Sequence, residues 1–406
     1  MSELTRRSFL KATATAAGLA SLPASSGVSA PSMDEDPLGV RAEFPIAQNL
    51  AYLNTSAVAP IPRAVREAGI EYLDGKMLQA SAARNSERRE QARSRFARLF
   101  GTKPEELALL YATSDGENIV TSALDLKPGD NVVIDDLHFV TSFVLYRQLE
   151  KDNGVELRIV RQREGRARLE DFDAAIDGRT SLVSVAWVSN RNGYRHDLRK
   201  LSELAHSKGA LLYTDAIQAL GYFPTSLTEQ GVDFVCTGAY KWLLSSFGVA
   251  PFYVREEHLD RIRPDRYGHA QVTEELPDLH YRLEKTAKKY EYAALAYSAV
   301  YQLNAGLAFL ENVGLSRIET HTVALARRLR DGITKLGFDP FTPSGNDSPI
   351  VSFVHGHDPK DLARRLEKEG VVVTLREGGD VLRAGIALFN NESDIQRLLS
   401  VIETIA

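Results

Sequence analysis

From residue 107 onward, short apolar runs recur between stretches of helical spacing. Leu107–Tyr111, Asn131–Ile134, Glu156–Val160, Ser181–Ala186, Ala210–Tyr213, Phe234–Cys236 and Val249–Val254 read as strands. Apolar runs of this length, bounded by turn residues, suit strands covered on both faces. Helical periodicity fills Arg63–Phe100, Glu117–Leu126 and Leu198–Lys208. This alternation predicts an α/β fold with a mostly parallel sheet and helices on both faces.

The pattern changes beyond residue 287. Lys288–Leu310 and Val323–Leu336 read as long helices. Ile350–Phe353, Val371–Thr374 and Val381–Ile386 then alternate with helices at Pro359–Glu369 and Ser393–Thr404. That predicts a small α+β unit. The chain is thus expected to divide into residues 1–30, an arm over 31–62, a large domain over 63–287, and a connecting helix with a small domain over 288–406. Residues 260–285 and 341–348 are polar and mixed and read as loops.

Composition adds three exclusions. The chain has 406 residues, 44% hydrophobic and 25% charged, with a net charge of −5, which is ordinary for a globular protein. Removing residues 1–30 takes away Arg6, Arg7, Lys11 and Glu3 and leaves a body of −7, so nucleic acid is not expected as a partner. The single cysteine, Cys236, excludes an intrachain disulfide and a Cys-cluster metal site. No metal is expected.

Thr5-Arg-Arg-Ser-Phe-Leu-Lys11 precedes an Ala-rich apolar stretch, Ala12–Leu22, too short and weakly apolar to span a bilayer. The segment resembles a twin-arginine (Tat) export signal, with a cleavage pattern at Val28-Ser-Ala30. It implies passage through the Tat translocase to the periplasm or another exported location, with no stable membrane anchor. That route carries folded proteins, which suits a cofactor loaded before export.

The chemistry centres on Lys241, in Asp233-Phe-Val-Cys-Thr-Gly-Ala-Tyr-Lys-Trp-Leu, and on Asp215, which closes the apolar run beginning at Ala210, 26 residues before the lysine. A lysine amine can hold an aldehyde cofactor as a Schiff base, and a carboxylate can keep a pyridine nitrogen protonated. The pair suggests pyridoxal 5'-phosphate (PLP). Taken singly, Lys241 could be a surface lysine and Asp215 a helix N-cap. Thr113-Ser114-Asp-Gly116 lies between a strand and a helix start, where backbone N–H groups favour a phosphate.

Several motifs fall in a family order: Ser189-Asn190 with Gly193, Asp215-Ala-Ile-Gln218-Ala-Leu-Gly221, Asp233-Phe234, Tyr240-Lys241-Trp242, Arg376-Glu-Gly and Leu382-Arg383. In this the chain, over about residues 45–406, resembles class V aminotransferase-fold proteins. That group includes cysteine desulfurases, kynureninase, isopenicillin N epimerase-like proteins and C–S lyases. The resemblance implies the PLP-dependent transferase fold of type I with a seven-stranded large domain, a homodimer, and an amino-acid-like substrate.

It also implies roles. Lys241 would carry the Schiff base and then move the substrate's α-proton. Asp215 would face the ring nitrogen, with Gln218 and Asn190 near the phenolic oxygen. Thr113 and Ser114 would meet the phosphate, and Tyr240 would replace the phosphate contact that many relatives draw from a Ser-x-His before the lysine. Phe139 would stack on the ring, with His138 as the alternative. Arg376 would hold the substrate α-carboxylate through its fork of donors, leaving Arg383 structural.

Two further departures matter. Tyr290-Glu-Tyr-Ala-Ala294 stands where relatives often carry a Gly-Thr pair that reaches the partner subunit's phosphate. Cysteine desulfurases of the family use a mobile-loop cysteine near the C-terminal domain, whereas Cys236 lies five residues before the lysine on an expected buried strand. The expected reaction is therefore C–S lyase or β-elimination chemistry without a persulfide cysteine, with an aminotransferase or epimerase as alternatives. A non-catalytic binding protein on this fold would be marked by loss of Lys241 or Asp215, and both are present.

Overall fold

The apolar runs of the first half become strands buried along most of their length. In a computed structural model, which describes residues 36–78 and 82–406, the strands are β1 (Ala51–Tyr52), β2 (Leu107–Leu110), β3 (Asn131–Asp135), β4 (Glu156–Val160), β5 (Thr180–Ala186), β6 (Leu211–Asp215), β7 (Phe234–Cys236) and β8 (Ala250–Val254). Residues 1–30, with the export signal, lie outside the described residues. No helix among the described residues is long and apolar enough to cross a membrane.

Seven of these strands form one sheet in the order β2-β8-β7-β6-β5-β3-β4. Only β8 runs against the others. Side chains alternate between the faces: Val133 enters the core on one side with Trp187 and Leu307, while Val132 and Ile134 enter the core on the other with Phe252. Each such aliphatic side chain stabilises the fold by about 1.5–3 kcal/mol on full burial.

The C-terminal half adds β9 (Val272–Leu276), β10 (His280–Leu283), β11 (Ile350–Val354), β12 (Val371–Val372), β13 (Thr374–Arg376) and β14 (Val381–Gly385). A second sheet has the order β11-β14-β13, and its Phe353 and Leu382 pack with Leu329 and Ile395 in a core of their own. The arm joins this unit: β1 pairs in parallel with β12.

Several elements differ from expectation for identifiable reasons. The run Val371–Thr374 is split between two sheets, because β12 pairs with the arm and β13 with β14. The helix expected from Lys288 starts only at Tyr297, since the Glu291 carboxylate is drawn inward to Arg93 at 2.5 Å and to the Leu109 N–H at 2.8 Å. Residues 260–285 contain the hairpin β9–β10 rather than only loop. Its strands are mostly exposed on both faces and so carry no apolar alternation to betray them.

Candidate active site

Five of the expected site segments follow the same edge of the sheet. Thr113 and Ser114 come just after β2, Phe139 after β3, Asn190 after β5, Asp215 at the end of β6, and Tyr240 with Lys241 after β7. These strands are mutually parallel, so their C-terminal ends share one edge, where open α/β sheets bind ligands. There Thr113, Ser114, Phe139, Asn190, Asp215, Gln218, Tyr240 and Lys241 line a single cavity. Its empty volume, counted out to the open mouth, is about 680 Å³.

Lys241 and Asp215 are both buried. Burial pushes the lysine down to about 7, Arg383 and Arg376 push the same way, and Asp215 pulls against them. Burial raises the Asp215 carboxyl, opposed by His138, the Ile217 N–H and Lys241. Asp215 accepts from that N–H at 2.9 Å and has no ion-pair partner within 4.0 Å among the described residues. A buried carboxylate so sparsely bonded is short of a cationic donor.

Gln218 is fixed by two bonds, from its Nε2 to the Ser56 carbonyl and from Trp242 Nε1 to its Oε1, both 2.8 Å. The second Nε2 hydrogen stays available. The Tyr240 ring stacks on Phe247 with centroids 4.0 Å apart, and Lys241 Nζ lies 5.6 Å from the Tyr240 centroid. Gly238 leaves room nearby: a Cβ there would come within 3.0 Å of Thr113 Oγ1 and 2.8 Å of Ile217 Cδ1.

Phe139, not His138, lines the cavity. His138 Nδ1 accepts the Phe139 N–H at 2.7 Å, which leaves the proton on Nε2 facing Ser184 Oγ at 3.1 Å. Ser184 in turn donates to Glu117 Oε1 at 2.7 Å, where Tyr146 also donates at 2.8 Å, and Ser142 donates to Oε2 at 2.7 Å. This buried network beneath the cavity escaped the sequence reading. Its one visible signal is Glu117, an acid four residues after Thr113 and so on the same helix face.

Arg376 does not line that cavity but lies near enough to act on Lys241 through its charge. Arg383 acts more strongly and donates to the Asn190 carbonyl at 2.7 Å and to Thr374 Oγ1 at 3.2 Å. Thr374 donates to Asn54 Oδ1 at 2.5 Å, so the arm reaches the arginine. Asn54 had no sequence signal, because its contact spans more than 300 residues.

Fitting PLP to this arrangement needs an amine, a carboxylate without a cation, an aromatic face and a helix N-terminus. Lys241, Asp215, Phe139 and the helix Thr113–Ala123 supply them around one cavity. The Aminotransferase class-V family model matches residues 51–398. The chain belongs to that family.

Class V relatives agree in extent. A probable cysteine desulfurase of Methanothermobacter thermautotrophicus is 27% identical over 394 residues, covering 90% of this chain and 97% of its own. An uncharacterized aminotransferase of Bacillus subtilis is 28% identical over 375 residues, covering 91% and 98%. Among solved structures, the apo cysteine desulfurase of Thermococcus onnurineus superposes with a TM-score of 0.83 at 25% identity, covering 91% of this chain and 98% of that one. The protein is a PLP-dependent enzyme with the type I transferase fold.

Proposed function

We propose that this enzyme is an exported C–S lyase that acts on an amino-acid substrate by β-elimination, without a persulfide cysteine. The observation that supports this reading is the place of Cys236. Its side chain is fully buried on β7, and burial pushes the thiol well above its ordinary value. A sulfur relay needs an accessible thiolate, although several relatives are named cysteine desulfurase.

PLP, when bound, supplies an electron sink for negative charge at the substrate's α-carbon. The chain's own groups do the rest. Lys241, titrating at about 7, is suited to take the α-proton and return it near neutral pH. Asp215 would hold a proton on the ring nitrogen, Phe139 would cover the ring, and Thr113, Ser114 and Tyr240 would receive the phosphate. Asn190 and Gln218 would set the ring's orientation. Arg376 and Arg383 offer their guanidinium groups to carboxylate. Overall, one water is consumed, the C–S bond breaks, and a thiol, pyruvate and ammonia leave.

A homodimer and Tat export belong to the same proposal, resting on the family resemblance and on Thr5–Lys11. An amino-acid screen tests the reaction. Release of pyruvate with ammonia and a thiol is the expected result. Conversion of the cofactor to its aminated form, reversed by keto acids, would instead favour an aminotransferase, the name carried by the Bacillus subtilis relative.

A further inference from the structure

Arg376 and Arg383 are diagonal neighbours on one face of the small sheet. In the β13–β14 pairing Thr374 stands opposite Arg383, and Arg376 stands opposite Val381. Thr374, Arg376 and Arg383 therefore share a side, while Leu375 and Leu382 turn to the C-terminal core. Diagonal positions of an antiparallel pair lie about 7–8 Å apart. Two guanidinium groups at that spacing can serve two separate anionic groups.

Neither cation has an anion of its own. Arg383, 2% exposed, bonds only to the neutral Asn190 carbonyl and Thr374 hydroxyl, and its Nε has no partner. Arg376 makes no hydrogen bond or ion pair with any described residue, and its Nε is buried without a partner. Glu377, the acid nearest in sequence, reaches Arg376 only through its charge and pairs with Arg191 at 2.5 Å. Asp215 is the acid whose charge reaches Lys241, and it would be taken up by the ring nitrogen. Arg383 is buried and Arg376 half-buried, and leaving such cations without anions is costly unless the ligand brings them.

An α-carboxylate answers one of the two. We propose that the preferred substrate carries a second anionic group on its side chain, with Arg383 taking the α-carboxylate and Arg376 the distal acid. Arg383 is assigned the α-carboxylate because it donates to the carbonyl of Asn190, which lines the same cavity as Lys241, where the substrate's amino group must arrive. This reverses the role that the family resemblance suggested for Arg376. The inference rests on the amino-acid reading of the site and narrows it. Within C–S lyase chemistry the class is an S-substituted cysteine ending in a carboxylate or a similar acid.

The test uses the PLP-loaded enzyme and matched pairs: S-carboxymethylcysteine against its carboxamide, aspartate against asparagine, and glutamate against glutamine. Affinity is read from the change in cofactor absorbance. The acid of at least one pair should bind about ten- to a hundredfold more tightly than its amide, the worth of a charge-assisted bond. In Arg376→Gln that ratio should fall to within about threefold, and Arg376→Lys, which keeps the charge without the fork, should restore part of it. Equal affinity for acid and amide in every pair, or an unchanged ratio in Arg376→Gln, overturns the inference. A different result separates the two levels. If borohydride fixes the cofactor on Lys241 and yet no amino acid alters its absorbance, the amino-acid reading itself fails, and this inference with it.

Discussion

Gln218 donates from Nε2 to the backbone carbonyl of Ser56 at 2.8 Å, joining the end of β6 to the N-terminal arm. The same amide accepts Trp242 Nε1 at 2.8 Å, directly after Lys241. Trp can only donate and a carbonyl can only accept, so the two bonds fix the amide's orientation. Gln218→Ala leaves two buried polar groups without partners, which should cost about 2–4 kcal/mol. The urea midpoint measures the loss, and cofactor should leave the variant faster than the wild type. An unchanged midpoint would mean that the arm is held by other contacts.

Lys241 gives the apoprotein a pH dependence of definite sign. In the unfolded chain a lysine keeps its proton to about pH 10.4, whereas burial lowers Lys241 to about 7 in the fold. Between those values the unfolded state binds more protons, so stability rises with pH. The apoprotein's Tm should therefore climb from about pH 7 toward about pH 10 relative to Lys241→Met, which has no proton to lose. Identical profiles for the two proteins would show that the native amine keeps an ordinary affinity for its proton.

How far the sequence carried this reading depended on the range of each interaction. The run Phe234–Cys236 matches β7 at both ends because a strand covered on both faces leaves an unbroken apolar run, and Glu156–Val160 matches β4, an edge strand in which apolar positions alternate with Glu156 and Arg158. The cavity residues were legible for a related reason: each lies at or after the end of β2, β3, β5, β6 or β7, and those strand ends converge. What was hidden is the set of polar contacts between distant segments. Glu117 with Ser184, Thr374 with Asn54, and Arg93 with Glu291 each join residues that no local pattern connects. Arg93 lies within the charged helical run Arg63–Phe100 with no sign of burial in its neighbours, yet it is fully buried because Glu291 and the Leu107 carbonyl both meet it.

At the other end of β7 from Lys241, Asp233 is clamped by two histidines. His206 and His258 each place Nε2 2.8 Å from one of its oxygens, and the Leu212 N–H donates at 2.7 Å. Burial raises the carboxyl, but these bonds outweigh it and hold the group at about 2, while Asp233 raises His206. The carboxylate's stabilisation is present above its unfolded value and is lost as pH falls from about 4 toward about 2. The His206 share is present below about 6.5 and fades as pH rises through its raised value. Asp233→Asn should cost about 2–3 kcal/mol near pH 5.5, and should flatten the acid limb of the curve. Denaturant unfolding across pH checks both, and an acid limb as steep as the wild type's would assign that loss to other carboxylates.

Cys236 offers the most direct separation between direct lyase chemistry and a sulfur relay. Its Sγ lies beneath the start of the helix Thr113–Ala123, 3.9 Å from the Ala112 carbonyl, and a Cβ added at Gly116 would come within 3.0 Å of it. Nothing the size of a substrate can approach a sulfur enclosed in this way. Iodoacetamide should therefore leave the native thiol unmodified and label it only after unfolding. Cys236→Ala should cost about 1 kcal/mol for the small void it leaves. Pyruvate release per bound cofactor should stay within about threefold of wild type, because the residue touches no reacting atom. If that release falls to background while the cofactor stays bound, Cys236 takes part in the chemistry and the relay reading returns.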